Sequence, residues 1–584
     1  MLRAAILKLL RKGDKDPTIP GNYRPISLLS VFYKIASSAI SQRLRKCIPY
    51  IIGRQQKAYK EDDNIGSVLI NTINLVEDCK QKRRNALLLL IDFKKAFDSI
   101  DHRYIESVLT TFNIGPNLKS WIKLFFTDRE ACILMGGHLT NTILLKQGVP
   151  QGDIISPFVF IIAVEILLIK VSSSKNIQGI PLGNKECRAL AYADDTSFGI
   201  LREERSLRAC MKYIEQFKSL SGLSANLDKT KVIPIGPITN PKTKMCPDIP
   251  LEWTDKFTLL GIEIDNQLLQ LDLNFDRIFL KTETIISDWK ARKLPIEGRI
   301  AISKALLISQ YTYISSILFL TPTQIAAAQT QINNFILGIS SQNKKWISND
   351  RLYLPISKGG LGCMELGSFF DGLKISWMRR YIVEGYQDHW ADILDNSLHI
   401  TPPQRANVLE WGDQDFNNPI KNCKSPFLKQ LLKTMQKLVN LHVTDPETGD
   451  NTFACQPIFN NSHLKFKKYG DRTKKCFSQG YFGLPAKFHP KISDVFNLGE
   501  FISYDKFTEL CFKANNKVPT ENSYLSLKHH LNTLFGHKKS TLNPSKIKPR
   551  NREHMPPLGT LLPPKEKNPK NLETSYLNPT INFQ

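Results

Sequence analysis

Apolar and polar positions alternate between two habits along the first half of the chain. Residues 86–91, Ala-Leu-Leu-Leu-Leu-Ile, form a short continuous apolar run. A run of that length suits a strand buried on both faces. Leu190 and Ala191 precede Asp194-Asp195, and Thr196, Ser197 and Phe198 follow. That pattern reads as strand, tight turn, strand, with both acids at the tip. Residues 158–171 are apolar throughout except for Glu165 and Lys170. This stretch is too short and too interrupted for a membrane span and is expected as a buried helix beneath a functional site. Leu259-Leu260-Gly261-Ile262-Glu263-Ile264 reads as a short strand with a glycine in its middle. Residues 270–340 are periodic with few breakers, so they predict helices.

The candidate chemistry lies at the ends of these runs. Two adjacent carboxylates repel unless a cation holds them. Hard divalent ions such as Mg²⁺ take carboxylate oxygens together with substrate phosphates. Asp92 closes the apolar run 86–91. With Asp194 and Asp195 it makes a candidate two-metal phosphoryl-transfer site. Asp92 also has a structural reading as a helix N-cap, because Ser99, Asp101 and a helical pattern follow. Gln147-Gly148-Val149-Pro150-Gln151-Gly152-Asp153 is punctuated as a loop leading into the apolar helix.

The 584 residues are too many for one domain. A net charge of +25 suits a partner with a phosphate backbone. The 11 cysteines are scattered singly with no Cys-x-x-Cys pair, which argues for a reducing compartment and against both a disulfide scaffold and a zinc knuckle.

Taken in order, Asn22-Tyr23-Arg24-Pro25-Ile26-Ser27-Leu28-Leu29, the Asp92 block, the Gln151-Gly152 loop, Tyr192-Ala193-Asp194-Asp195, Ser221-Gly222-Leu223-Ser224-Ala225-Asn226-Leu227-Asp228-Lys229-Thr230-Lys231 and Leu260-Gly261 resemble the reverse transcriptase domain of non-LTR (LINE-type) retrotransposons. The resemblance spans about residues 12–264, and the helical region after it resembles that family's thumb. It implies an α+β right-hand polymerase with fingers, a palm built on an antiparallel sheet and a helical thumb, followed by a mostly helical C-terminal region. The expected division is fingers 1–85, palm with inserted fingers 86–265, thumb 266–340, a region of unknown role 341–537 and a disordered Lys/Pro-rich tail 538–584.

The implied reaction is RNA-directed DNA synthesis on an RNA template from a DNA primer and dNTPs. Asp92, Asp194, Asp195 and the Phe93 carbonyl would hold two Mg²⁺ ions, with Mn²⁺ as a substitute. The resemblance further implies Lys12, Arg24, Phe97, Gln151 and Gly152 at the nucleotide, Phe97 excluding the ribose 2′-hydroxyl. Lys229 would stand at the leaving pyrophosphate, as general acid or as a plain solvated lysine. Leu260 and Gly261 resemble the strand turn that grips the primer. Basic residues of 289–299 would follow the backbone of an RNA–DNA hybrid. Lys57-Ala58 stands where the family often carries an aromatic–glycine pair, which puts template contacts there in doubt. Lys358-Gly359-Gly360-Leu361-Gly362 also recurs in the family, with no derivable role. Lys465, Phe466, Lys467, Lys468 and Tyr469 interleave basic and aromatic residues, which fits either base stacking or a solvated face. Family members carry an endonuclease ahead of the polymerase, so a chain opening at the fingers is expected to polymerise without nicking its own target. The rival expectation is an inactive remnant that only binds nucleic acid. No membrane partner is expected.

Overall fold

The structure is a computed structural model. It describes residues 4–338 apart from 61–62, 183–184 and 242, and then 347–535 apart from 384, 412, 445–464, 468–473, 477–483, 485–491, 498–499 and 516–517. The tail 538–584, Lys468 and Tyr469 lie outside the described residues. The described residues divide into two compact units, one containing those up to Gly338 with Gln387–Ile393, the other those of 347–386 and 394–535.

In the first unit, β1 (Ala4–Arg11) and β2 (Tyr23–Leu28) form an antiparallel hairpin, with Leu10 opposite Arg24. Helices α1 (Val31–Ile51) and α2 (Ile65–Gln81) follow. Ser30 starts α1 by accepting the Tyr33 N–H, satisfying one of the orphan donors of the first turn. The apolar run forms β3 (Ala86–Ile91). After it come α3 (Ala96–Ser99), α4 (His102–Thr111), α5 (Pro116–Phe126) and β4 (Arg129–Met135), which pairs in parallel with β1. Short strands β5 (His138–Leu139) and β6 (Ile143–Leu145) complete that sheet.

The apolar stretch becomes α6 (Ser156–Ser173). By length and composition it could cross a membrane, yet 72% of it is buried inside the protein, packed on α1, α4 and α7. Then come β7 (Ile180–Leu182), β8 (Lys185–Cys187), β9 (Ala189–Tyr192), β10 (Asp195–Leu201) and α7 (Glu204–Ser221). Strands β11 (Lys231–Ile235), β12 (Glu252–Trp253), β13 (Lys256–Leu259) and β14 (Ile262–Asp265) precede the helices α8 (Leu273–Lys290), α9 (Ile296–Ile302), α10 (Ser309–Ile317) and α11 (Pro322–Leu337). A π-helical turn, Ser303–Ile308, joins α9 to α10.

The central sheet has the order β12-β11-β3-β10-β9. β3 is its middle strand, antiparallel to both neighbours, with Ile91 opposite Thr196 and Leu90 opposite Lys231. Its continuous apolar character follows from that place: α6 lies in the same core, and every residue of β3 except the half-buried Leu90 is buried. The sequence reading of 259–264 needs correction. These residues are not one strand but the hairpin β13–β14, turning at Leu260 (φ +48°) and Gly261 (φ +83°). Two successive positive φ values are what a tight hairpin turn demands.

In the second unit, Gly359 and Gly362 take positive φ where residues 359–362 fold back on α12 (Asn349–Tyr353), Leu361 donating to the Arg351 carbonyl at 3.0 Å. Helices α13 (Leu366–Ile382), α14 (Asp413–Asn422), α15 (Pro426–Thr444), α16 (Tyr504–Asn515) and α17 (Glu521–Phe535) make up most of the rest, and Lys465–Lys467 pairs antiparallel with Lys474–Cys476. Nine cysteines, Cys47, Cys79, Cys132, Cys187, Cys210, Cys246, Cys363, Cys423 and Cys511, are free thiols.

The Gln147–Asp153 loop is seated by hydrogen bonds from Gly148 N to Ile100 O (2.8 Å), Val149 N to Phe97 O (2.7 Å) and Ser27 N to Gln151 O (2.8 Å). Gly148 has φ +82°, and a Cβ there would stand 2.7 Å from the Asp98 carbonyl oxygen. Gly148→Ala should therefore lower stability by roughly 1–3 kcal/mol, the usual cost of a strained backbone position. A thermal melt with an unchanged midpoint would contradict that tight fit.

Candidate active site

Three strands bring the acids together. β9 and β10 are joined by the two residues Ala193 and Asp194, with Tyr192 opposite Asp195. Ala193 sits at φ +56°. Continuing the β10–β3 ladder one step beyond Thr196 and Ile91 puts Asp195 opposite Asp92, so all three acids stand at one end of the sheet. Asp92 caps no helix. The helix starts after it belong to Lys95 and Asp101, and Asp101 accepts the Arg103 and Tyr104 N–H groups.

The acids are exposed to solvent, yet surrounding protein takes much of their hydration. Burial first, then the Asp194 and Asp92 charges, push the Asp195 carboxyl up to about 6. Asp194 is also raised, mainly by burial and further by Asp92, while Arg24 opposes the rise. Asp92 accepts from Asn226 Nδ2 (3.4 Å) and lies 3.8 Å from Lys229 Nζ, with Asn226 N bonded to the Asp92 carbonyl (2.7 Å).

The donor set fits a hard divalent ion: three carboxylates, all oxygen donors, charged against one another at a solvent-accessible edge. Among the described residues no three His, Cys, Asp or Glu side chains close into a ready-made metal cage. Mg²⁺ does not ask for one, because it keeps waters and takes substrate phosphates into its shell.

A second cluster is cationic. Lys12 lies just beyond β1, its main-chain N–H bonded to Asn22 O (2.8 Å). Its ammonium is held below the ordinary lysine range by burial first and then by the neighbouring Arg24, Lys229 and Lys15 charges. Lys12, Arg24 and Lys229 are therefore gathered near the acids, where a polyphosphate would relieve their repulsion.

The remaining predicted residues have particular places. Phe97 is half-buried, its ring stacked on Phe160 with centroids 4.5 Å apart. Phe93 is buried, its ring 6.2 Å from Phe217. Gln151 donates its amide to the Asp98 carboxylate (3.1 and 3.2 Å), and Gly152 is exposed at φ +108°. The Leu260 carbonyl accepts from Tyr313 Oη (2.6 Å). Lys290, Arg292 and Lys293 are exposed, Arg292 over the Trp289 ring at 4.3 Å, whereas Arg299 turns to the Ile336 carbonyl (3.5 Å).

Four neighbours went unread in the sequence. Asn226 touches Asp92, Asp98 holds Gln151, and Gln56 reaches Ala193. Tyr313 feels Tyr192 and Asp195, and its phenol is pushed up to about 12, chiefly by burial. Asn226 and Tyr313 lie within stretches already singled out by pattern, but nothing in their spacing announces a partner.

Residues 10–264 match the family described as reverse transcriptase (RNA-dependent DNA polymerase). This segment is a reverse transcriptase domain of the non-LTR retrotransposon kind. Relatives agree. The transposon TX1 uncharacterized 149 kDa protein of Xenopus laevis is 27% identical over 406 residues, covering 67% of this chain and 30% of the relative. A Pol polyprotein from the type-1 retrotransposable element R2 of Popillia japonica is 28% identical over 239 residues, covering 40% of this chain and 32% of the relative. The RNA-directed DNA polymerase from mobile element jockey of Drosophila melanogaster is 21% identical, covering 46% and 29%. The chain thus spans about a third of the length of these curated relatives. In this segment the three acids stand at one end of the central sheet.

A raised carboxylate costs the native state stability as pH climbs from the ordinary carboxylate value to about 6, and the cost vanishes below both values. Two outcomes follow. Without metal, Asp195→Asn should stabilise the fold, by roughly 1 kcal/mol or less once solvent screening is allowed for. In the native chain, Mn²⁺ affinity should weaken as pH falls through about 6, because protons compete for the same oxygens. Calorimetric Mn²⁺ titrations giving the same affinity at pH 7.5 and pH 5 would rule this out.

Proposed function

We propose that this chain is the RNA-directed DNA polymerase of a LINE-type retrotransposon. The observation that carries the reading is the convergence of Asp92, Asp194 and Asp195 at one sheet edge, with Lys12, Arg24 and Lys229 gathered beside them. Acids for divalent ions next to cations for a polyphosphate are the two halves of a phosphoryl-transfer site.

Asp92 and Asp194 would hold Mg²⁺ or Mn²⁺, with Asp195 and the Phe93 carbonyl assisting. Ions bound there supply charge neutralisation and a more acidic primer 3′-hydroxyl. Arg24, exposed on β2, matches phosphate oxygens in pairs through its guanidinium fork, and Lys12 adds a point charge. Lys229, 3.8 Å from Asp92, would give a proton to the departing pyrophosphate. Gln151, braced by Asp98, and Gly152 would face the nucleotide and the template base. Phe97, fixed by Phe160, would leave no volume for a 2′-hydroxyl. The β13–β14 turn would hold the primer. Lys290, Arg292 and Lys293, on and just after α8, would follow the backbone of the RNA–DNA hybrid, where contacts position without reading sequence. The RNA template, DNA primer and dNTPs are the partners this assigns.

Primer extension on an RNA template with dNTPs and Mg²⁺ tests the reading. The native chain should extend the primer, and Asp194→Asn with Asp195→Asn should lose at least about a thousandfold in rate, as the loss of charge-stabilising groups does elsewhere. No extension by either chain, with hybrid binding retained, would mark a remnant that binds nucleic acid without polymerising. Phe97→Val should lower the deoxy-over-ribo preference by on the order of 10- to 100-fold. An unmoved preference would remove Phe97 from that role.

A further inference from the structure

Ala193 is an unusual residue to find in the turn that carries Asp194. It has a side chain, yet its φ is +56°, a left-handed conformation that favours glycine. It is also buried, so its main-chain polar groups are cut off from water and need partners. Both partners come from one side chain far away in sequence. Gln56 Oε1 accepts the Ala193 N–H at 2.9 Å, and Gln56 Nε2 donates to the Ala193 carbonyl at 3.3 Å. Gln56 is wholly buried, and its Oε1 also accepts the Ala58 N–H at 3.0 Å.

The segment around Gln56 is itself fixed. Ala191 N donates to Gln55 O (2.9 Å) and Lys57 N to Ala191 O (2.8 Å), so residues 55–57 run as one parallel rung along the free edge of β9. The Lys57 side chain is buried and lies 3.1 Å from Asp63 Oδ1 and 3.2 Å from Asp388 Oδ2. The lysine that departs from the family's aromatic–glycine pattern is thus an anchor of the strip that presents Gln56.

We propose that Gln56 is a positioning residue for the catalytic turn; this rests on the acid pair being the metal-binding centre of the polymerase. A primary amide carries a donor and an acceptor at the spacing of a peptide group. It pairs with Ala193 as a strand would, and so holds a non-glycine residue in the left-handed region. The carboxylate of Asp194, the next residue, is aimed by that hold. Catalysis depends on such aim, since a displacement of about 1 Å can cost on the order of a hundredfold in rate.

The test uses the full chain with Gln56→Met, which keeps the volume and removes both hydrogen bonds. Three quantities are read: Mn²⁺ affinity by electron paramagnetic resonance without nucleic acid, kcat and KM for dNTP in primer extension, and the melting temperature. The proposal expects Mn²⁺ affinity to fall about tenfold and kcat to fall on the order of 10- to 100-fold with KM little changed, because the substitution touches none of Lys12, Arg24 and Lys229, the cations assigned to the nucleotide. Adding Ala193→Gly should recover part of both losses, because glycine takes φ +56° without a hold. If Gln56→Met does not fold, Gln56→Asn carries the same test, its amide one methylene short of Ala193. A variant that melts lower but binds Mn²⁺ and turns over like the native chain would overturn the proposal and leave Gln56 a packing residue. The Mn²⁺ measurement is independent of polymerisation. A native chain that binds Mn²⁺ tightly without extending primers would fail the proposed function while Gln56 still stood or fell on its own readout.

Discussion

Three carboxylates at one sheet edge repel one another, and the domain is built to tolerate that repulsion rather than to remove it. Asp195, raised to about 6, is the clearest mark of the strain. Such an arrangement destabilises a protein unless a cation binds there, and a fold keeps it only where the backbone leaves the acids no retreat. Here the backbone does so in two ways. β3 is fully paired on both sides, so Asp92 cannot slide along the sheet. The β9–β10 turn is too short to let Asp194 and Asp195 swing apart.

Holding that turn engages distant parts of the domain. Gln56 pairs with Ala193, Asn226 ties to both the carbonyl and the carboxylate of Asp92, and Tyr313 sits between the Leu260 carbonyl and the Tyr192–Asp195 end of the hairpin. These supports come from the segment after α1, the loop after α7 and helix α10. The acids are therefore the point at which segments distant in sequence meet within one unit. The long apolar helix α6 makes this geometry possible by filling the space beneath them.

Much of this was legible in the sequence, for identifiable reasons. The strand Ala86–Ile91, the helix Ser156–Ser173 and the Asp194-Asp195 turn announce themselves through unbroken apolar runs and adjacent like charges, which are local signals. The turn at Leu260-Gly261 was legible through the family resemblance but not from the local pattern, because leucine at positive φ contradicts the usual turn vocabulary and the flanking residues read as one strand. Gln56, Asn226 and Tyr313 were hidden for a different reason. Their meaning lies in pairings 137, 134 and 53 residues apart, and no local period records such a pairing.

The same contrast explains how Lys57 can replace an aromatic without disturbing the acids. A buried lysine is costly alone and tolerable when carboxylates meet it. Asp63 does so from nearby in sequence and Asp388 from far along the chain, and Asn71 in turn donates to Asp388 at 2.7 Å. The charge is neutralised on one face of the strip while Gln56 pairs with the catalytic turn on the other. What this position must supply is a rigid edge beside β9, and an ion pair meets that need as well as an aromatic ring would. The identity of residue 57 is then free to vary with its partners, whereas the amide at residue 56 is tied to the shape of the turn it holds.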